Sequence, residues 1–291
     1  MAKLSHHVEY LATRFGIAVA NLLSPRAADR LGAGLGDLAY LMLTSRQRIA
    51  MENLRRAFGD RYSEPELQQI TRRVFQNIGR TLVEFARFGK IKAEGARSLV
   101  AGDLTGVEQA RAKGNGGIIV TAHFGNWELL GAWFGAMGYP MDFLVGRQHN
   151  QKVDDLLIGF RREMGVGIIP LATSTRQVFK ALKANRITGL VSDQHASSGG
   201  VRLEFFGRPA ATPRGPALFA IRANCPLLPY MLRRESFDRH VAMAGEPIYP
   251  PNSGDEEADI RTMTEQYTGF FENCIRQFPD QWMWTHRRWK L

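Results

Sequence analysis

This chain is poor in cysteine, in acidic residues and in long apolar runs, and each shortage closes off a class of protein. Its 291 residues hold two cysteines, Cys225 and Cys274, far apart in sequence. A disulfide framework is not indicated, and neither cysteine has a partner at metal-ligand spacing; the expectation is two buried reduced thiols in a cytoplasmic protein. The longest apolar stretches are Phe15–Leu23 and Leu31–Leu43, the second broken by Asp37 and three glycines. Neither reaches the roughly 20 residues that cross a bilayer, and no apolar core with a small-residue cleavage site marks a signal peptide. Walker-type loops, a G-x-S-x-G elbow and an H-E-x-x-H helix are missing, so no catalytic metal is expected. Gly32-Ala-Gly34-Leu-Gly36 lacks the third-glycine spacing of a dinucleotide fingerprint and lies inside a helical pattern rather than after a strand. Acidic residues number 28 against 38 Lys and Arg, for a net charge of +10. Such an excess suits a solvated surface, an anionic membrane, an acidic protein or nucleic acid. Zinc-finger spacing, recognition helices and basic stretches interleaved with stacking aromatics are absent, which sets nucleic acid aside.

What is present begins with helices. Residues 4–23 place Leu4, Val8, Leu11, Phe15, Ala18 and Leu22 at helical period. Ser24-Pro25 ends that element or caps the next, an unusually apolar helix over 26–43. Residues 45–58 set four arginines beside Ile49, Leu54 and Phe58, and Ser63-Glu-Pro-Glu66 is a capping box opening a long amphipathic helix striped by Leu67, Ile70, Val74, Ile78, Leu82 and Phe85. One face in the core and one in water accounts for such periodicity; a second reading lays the first two helices on a bilayer with arginines near the headgroups.

From residue 104 the texture changes. Short apolar runs over 117–121, 141–145, 167–170, 187–192, 227–231 and 240–244 alternate with helical patterns over 105–113, 127–137, 150–164, 174–184, 213–223 and 257–277. The alternation predicts an α/β fold with a mostly parallel central sheet covered by helices. An N-terminal helical region, residues 1–95, precedes the α/β core, residues 96–291, and is continuous with it.

The chemistry concentrates at Gly117-Ile-Ile-Val-Thr-Ala-His123-Phe-Gly-Asn126-Trp-Glu128. The β-branched run ends at His123, and Asn126 is a good N-cap for the next helix. His123 therefore sits at the carboxyl end of a strand, where open α/β sheets collect ligands. Five residues apart on one helix, two side chains diverge by about 140°. With a turn between them, Glu128 can fold back onto the imidazole, fix its tautomer and free the other nitrogen to take a proton. Standing alone, a strand-end histidine is more often a hydrogen-bonded structural residue.

A histidine, four residues and an acid resembles the glycerolipid acyltransferase superfamily, and AHFGNWE resembles its bacterial lipid A acyltransferase branch. The resemblance covers most of the chain. It includes Asn53-Leu…Phe58, Phe75-Gln-Asn77-Ile-Gly79 with Glu84-Phe85, Gly146-Arg147-Gln148, Ser192-Asp193-Gln194, Phe205-Phe206-Gly207…Thr212-Pro213-Arg-Gly215, and Phe278-Pro279-Asp-Gln-Trp282-Met-Trp284-Thr-His286-Arg287-Arg288. Many relatives carry an N-terminal spanning helix, from which this sequence departs.

The resemblance implies transfer of a fatty acyl chain from a carrier thioester to a hydroxyl of a lipid A precursor. His123 would be the general base and Glu128 its partner. The donor would be the acidic acyl carrier protein or coenzyme A, with no bound cofactor, and the protein would sit peripherally on the cytoplasmic face of the inner membrane. A lysophospholipid or glycosylated phosphatidylinositol acceptor, or a non-catalytic lipid-binding role, remains open. Backbone amides near Gly125 and Asn126 are expected to receive the oxyanion. Arg147, at a strand end, is read as a phosphate ligand or a surface ion pair. Asp193 belongs to the family's site or caps a turn, and Arg208 and Arg214 are further phosphate candidates. Arg287 and Arg288 are read equally as a basic tail. Trp127, Trp133, Phe134 and Phe143 line an acyl groove or pack the core.

Overall fold

The computed structural model describes residues 2–171 and 174–290. Five helices lead: α1 (Ala2–Leu22), α2 (Pro25–Met42), α3 (Thr44–Phe58), α4 (Glu64–Ala86) and α5 (Phe88–Leu99). The side chain of Leu4, first in the expected stripe of α1, lies outside the described residues. Ser63 and Glu66 form the expected capping box of α4, and Ser24 caps α2 with Pro25 at its first position. Strands and helices then alternate: β1 (Val100–Gly102), α6 (Thr105–Ala112), β2 (Gly117–Thr121), α7 (Trp127–Ala136), β3 (Met141–Val145), α8 (Gln151–Glu163), β4 (Val166–Pro170), α9 (Ser174–Lys183) and β5 (Ile187–Val191). A hairpin of β6 (Val201–Phe205) and β7 (Arg208–Thr212) precedes α10 (Gly215–Ala223), β8 (Leu227–Ser236), β9 (Arg239–Ala244) and α11 (Glu256–Gln277).

Among the described residues the main sheet has seven strands in the order β1-β9-β8-β2-β5-β3-β4. Its pairings are parallel except β8 with β9, so the fold is α/β with a mostly parallel sheet and an N-terminal helical region. The short strand β1, helix α5 and the β6–β7 hairpin stand where no element was expected. Side chains alternate across β2 as a sheet buried on both faces requires. Ile118 and Val120 join a cluster that takes in Leu54 of α3, Val74 of α4 and Phe271 of α11. Ile119 joins one with Leu130, Phe134 and Met141. The first cluster crosses from the N-terminal helices into the sheet, so the two parts share a core. Cys225 and Cys274 are buried free thiols that burial pushes up to about 12.

Register decides which side chains meet at the sheet's edge. Thr121 of β2 lies opposite Val191 of β5 in parallel pairing. Two residues further along each chain are His123 and Asp193.

Helices α2 and α4 touch backbone to backbone. A Cβ at Gly79 would lie 2.2 Å from the Gly32 carbonyl oxygen, and one at Gly36 would lie 2.4 Å from the Gln76 Cα. Arg72–Asp37 at 2.6 Å and Arg80–Asp29 at 2.9 Å bracket the contact. The Gly32–Gly36 run is thus a helix-packing surface, consistent with rejecting a dinucleotide site. Gly79→Leu forces the helices apart, and overpacking of this kind costs about 1–3 kcal/mol. Thermal denaturation should show Tm lower by several degrees; an unchanged Tm would show that the helices separate freely.

Candidate active site

His123 leaves β2 with its backbone groups and one ring nitrogen engaged. Its backbone N–H donates to Asp193 Oδ2 at 3.0 Å, and its carbonyl accepts from the Met283 amide at 2.9 Å. Its ring Nδ1 lies 2.8 Å from Asp193 Oδ1. Nε2 has no hydrogen-bond partner among the described residues, and the ring borders a cavity of about 540 Å³. Asp193 is 3% exposed and accepts a third bond, from the Trp282 indole at 2.7 Å. Burial alone would raise its carboxyl; the imidazole, the indole and the His123 amide more than reverse this and hold it below the ordinary carboxylate value. For His123 burial alone would favour the neutral ring, but the Asp193 charge, its hydrogen bond and the Glu128 charge raise the imidazole above its ordinary 6.5.

Glu128 does not orient the imidazole as the spacing suggested. It occupies the first turn of α7, and its oxygens accept from Arg161 Nη2 at 2.7 Å and Nε at 2.9 Å, a bidentate pair. Arg161 comes from the last turn of α8 and lies over the Phe85 ring, 5.0 Å from its centroid. Glu128 therefore faces the same cavity as His123 and acts on it through charge, while Asp193, seventy residues away, makes the contact. Nothing in the sequence sets Arg161 apart from its neighbour Arg162. Its position one helix away from Glu128 is a product of the fold.

The expected oxyanion donors are also displaced. The Gly125 N–H is spent on the Gln281 carbonyl at 2.9 Å. Asn126 is completely buried: its side-chain oxygen caps α7 through Leu129 N at 2.9 Å, and its amide nitrogen donates to Glu84. Neither residue borders the cavity. Arg208 bonds the Arg56 carbonyl at 2.7 Å, and Arg214 pairs with Glu257 at 2.5 Å; neither guanidinium borders the cavity, although Pro213 and Gly215 do. Arg147 is exposed between Gly146 and Gln148, which both border it. Among the described residues, the arginine in the wall is Arg161. Trp127 and Phe143 line the cavity with Leu144, Leu190 and Phe219, whereas Trp133 and Phe134 are core at 2% and 0% exposure. Arg288, read as one of two tail residues, is 1% exposed and bonds the Ala211 carbonyl at 2.7 Å.

The distant sequence blocks meet behind the histidine. Asn53 donates to the Trp284 and His286 carbonyls, each at 2.7 Å, and Asn77 to the Asp280 carbonyl at 2.9 Å. These contacts seat the C-terminal segment that brings Trp282 to Asp193. If the imidazole acts as a base, only its neutral form is competent. Because Asp193 raises the ring, the acid limb of kcat/KM should lie above pH 6.5. Asp193→Asn should move that limb to lower pH, since burial then acts unopposed by a touching carboxylate, and should reduce kcat roughly 10²–10⁴-fold. A limb that stays in place would remove Asp193 from the imidazole.

Comparison with known proteins identifies the family. Residues 1–291 match the family described as bacterial lipid A biosynthesis acyltransferase. The lipid A biosynthesis lauroyltransferase of Escherichia coli is 27% identical over 98% of this chain and 93% of its own length. A phosphatidylinositol mannoside acyltransferase of Mycobacterium tuberculosis is 26% identical over 194 residues, 65% of this chain. One from Mycolicibacterium smegmatis is 24% identical over 64% of it. The chain spans 60% and 61% of the length of those two relatives. With its full length matched, the chain belongs to the bacterial lipid A biosynthesis acyltransferase family.

Proposed function

We propose that the protein is an O-acyltransferase that moves a fatty acyl chain from a carrier thioester to a lipid hydroxyl. The observation that carries this reading is the contact of the buried Asp193 carboxylate with a His123 imidazole that opens into a mainly apolar cavity. His123 Nε2 takes the proton of the acceptor hydroxyl. The oxygen bonds to the thioester carbonyl carbon, the tetrahedral intermediate collapses, and the C–S bond breaks. The imidazolium returns its proton to the departing thiolate, so ester and free thiol leave together. Asp193 holds the ring and stabilises its charged form. Glu128, fixed by Arg161, adds a second negative charge facing the imidazolium.

The acceptor is a hydroxyl on an acylated lipid A precursor, the reading favoured by the relative matched across 98% of the chain. A glycosylated phosphatidylinositol is the alternative that the mannoside acyltransferases favour. The donor is an acyl thioester of the acidic carrier protein, whose encounter a net charge of +10 would speed; a coenzyme A thioester is the alternative. Arg147, exposed beside the cavity, would meet the donor's phosphate. Purified protein offered each donor with each acceptor, and read by mass spectrometry of the lipid products, tests these pairings. His123→Ala should lose about 10²–10⁴ of turnover; retention of more than a tenth would end the general-base reading.

The same proposal places the protein peripherally on the cytoplasmic face of the inner membrane. Among the described residues no helix is long and apolar enough to cross a membrane. Instead Leu11, Phe15 and Leu22 of α1 and Leu38, Leu41 and Met42 of α2 are exposed, Phe15 at 72% and Leu22 at 85%. Arg14, Arg26 and Arg30 accompany them, the pattern of an interfacial helix pair. Because Phe15 and Leu22 are exposed, Phe15→Glu with Leu22→Glu should leave Tm in place. Each buried side chain contributes about 1.5–3 kcal/mol, so sedimentation with anionic vesicles should fall at least tenfold. Unchanged vesicle binding would place the membrane face elsewhere.

A further inference from the structure

Beneath the turn that joins His123 to Glu128 lies a buried charged cluster that none of the chemistry above uses. Thr81 and Glu84 occupy one face of α4, three residues apart. The Thr81 hydroxyl donates to the Gly125 carbonyl at 2.8 Å, and a Glu84 oxygen accepts from the Asn126 amide. Arg234 of β8 closes the cluster from below: it ion-pairs with Glu84, donates to Thr81 Oγ1 at 3.2 Å, and lies 3.2 Å from His240 Nε2. The backbone N–H and carbonyl of Arg234 both bond the Gln281 side chain, at 2.8 and 2.9 Å, while the Gln281 carbonyl takes the Gly125 amide. The turn has no slack: Gly125 has φ +53, and a Cβ there would lie 1.8 Å from the Leu232 carbonyl oxygen.

We propose that Glu84 is a positioning residue for acyl transfer: through the buried Asn126 amide it fixes the N-terminus of α7, and so the placement of Glu128 and Arg161 across the cavity from the His123 imidazole. The inference rests on the reading of His123 as general base. Asn126 caps α7 with its side-chain oxygen, and a capping amide is free to rotate unless its nitrogen is also held. Glu84 holds it. Burial alone would raise the Glu84 carboxyl, but Arg234 and His240 overcome this and keep it at about 2. The clamp therefore stays ionised across the range in which His123 titrates. Glu128 follows Asn126 by two residues, so a rotated cap displaces the carboxylate and with it the bidentate pair to Arg161. Displacements of an ångström at reacting groups cost roughly 10²-fold in rate.

Removing Glu84 alone leaves Arg234 buried and unpaired, which would destabilise any protein. The test therefore uses the double variant Glu84→Met with Arg234→Met beside Glu84→Met alone. A second, independent variant is Asn126→Ser, which keeps an N-cap oxygen but cannot reach Glu84. Steady-state transfer rates are normalised to folded protein and compared with Tm. The expected result is that the double variant regains Tm relative to the single one while kcat stays ten- to a hundredfold below wild type. KM for the donor should hold within about twofold. Asn126→Ser should show the same split with Tm within a few degrees. Recovery of kcat together with Tm in the double variant would show that Glu84 serves stability alone, and so would wild-type kcat in Asn126→Ser. Activity surviving in His123→Ala would instead end the general-base reading on which the inference rests.

Discussion

The contact between Asp193 and His123 is the interaction on which the remaining architecture converges. A carboxylate taken out of water costs several kcal/mol unless it is paired and hydrogen-bonded. Asp193 meets that condition with three donors from two distant parts of the chain: the imidazole and amide of His123 and the Trp282 indole. The first two require β2 and β5 to be adjacent and in register. The third requires the C-terminal segment to cross behind the sheet, and that crossing is held by Asn53 of α3 and Asn77 of α4. The N-terminal helices are therefore part of what keeps the carboxylate in place. Loosening α3 or α4 would release the segment that carries Trp282.

Two carboxylates act on the imidazole, and their different partners give them different roles. Asp193 touches the ring and is compensated largely by the ring itself, so its charge is coupled to the proton on His123. Glu128 is compensated by Arg161 in a bidentate pair, with the guanidinium over Phe85, so its geometry is fixed whatever the ring's protonation. Under the proposed mechanism, a base that must accept a proton and then give it up gains from the first arrangement. A cavity wall that must hold its shape gains from the second. Elsewhere the wall is mainly apolar, with Trp127, Phe143, Leu190 and Phe219, a surface suited to a hydrocarbon chain attached to a reacting carbonyl.

Much of this fold was legible because its signals are local. The β-branched run before His123, the cap at Asn126, the capping box at Ser63 and the alternation after residue 104 each depend on neighbours within a few positions. The strand-end placement of His123 followed from them. Its partner did not. A carboxylate five residues on is visible in sequence, whereas one brought alongside by register between β2 and β5 is not. Arg161 was unreadable for the same reason, since α8 shows two adjacent arginines and only the packing of α7 against its neighbours selects one. The β6–β7 hairpin escaped notice because its strands are short and Pro209 sits within the second, and β1 is only three residues long. Gly125 was read as an amide donor. The fold instead uses it because only glycine accepts a positive φ against the Leu232 carbonyl.

The arginines carry a further lesson about net charge. Counted along the chain they make a strongly basic protein, and the natural inference is a basic surface. Several of them are interior fittings. Arg87 is 6% exposed and caps the end of α1 by donating to the Ala20 and Leu23 carbonyls, where a cation is favoured by the helix dipole. Arg288 is 1% exposed, lies over Phe205 and bonds β7, with burial lowering its guanidinium to about 10. Arg234 and Arg161 are matched by Glu84 and Glu128. Arg87 is held by carbonyls and Arg288 by a carbonyl and the Thr212 hydroxyl, with no touching carboxylate, so part of the excess positive charge is sealed inside the fold. The field outside the protein arises from the exposed remainder, Arg147 beside the cavity and Arg14, Arg26 and Arg30 on the leading helices among them. It is therefore more local, and more oriented, than a net charge of +10 spread over the surface would be.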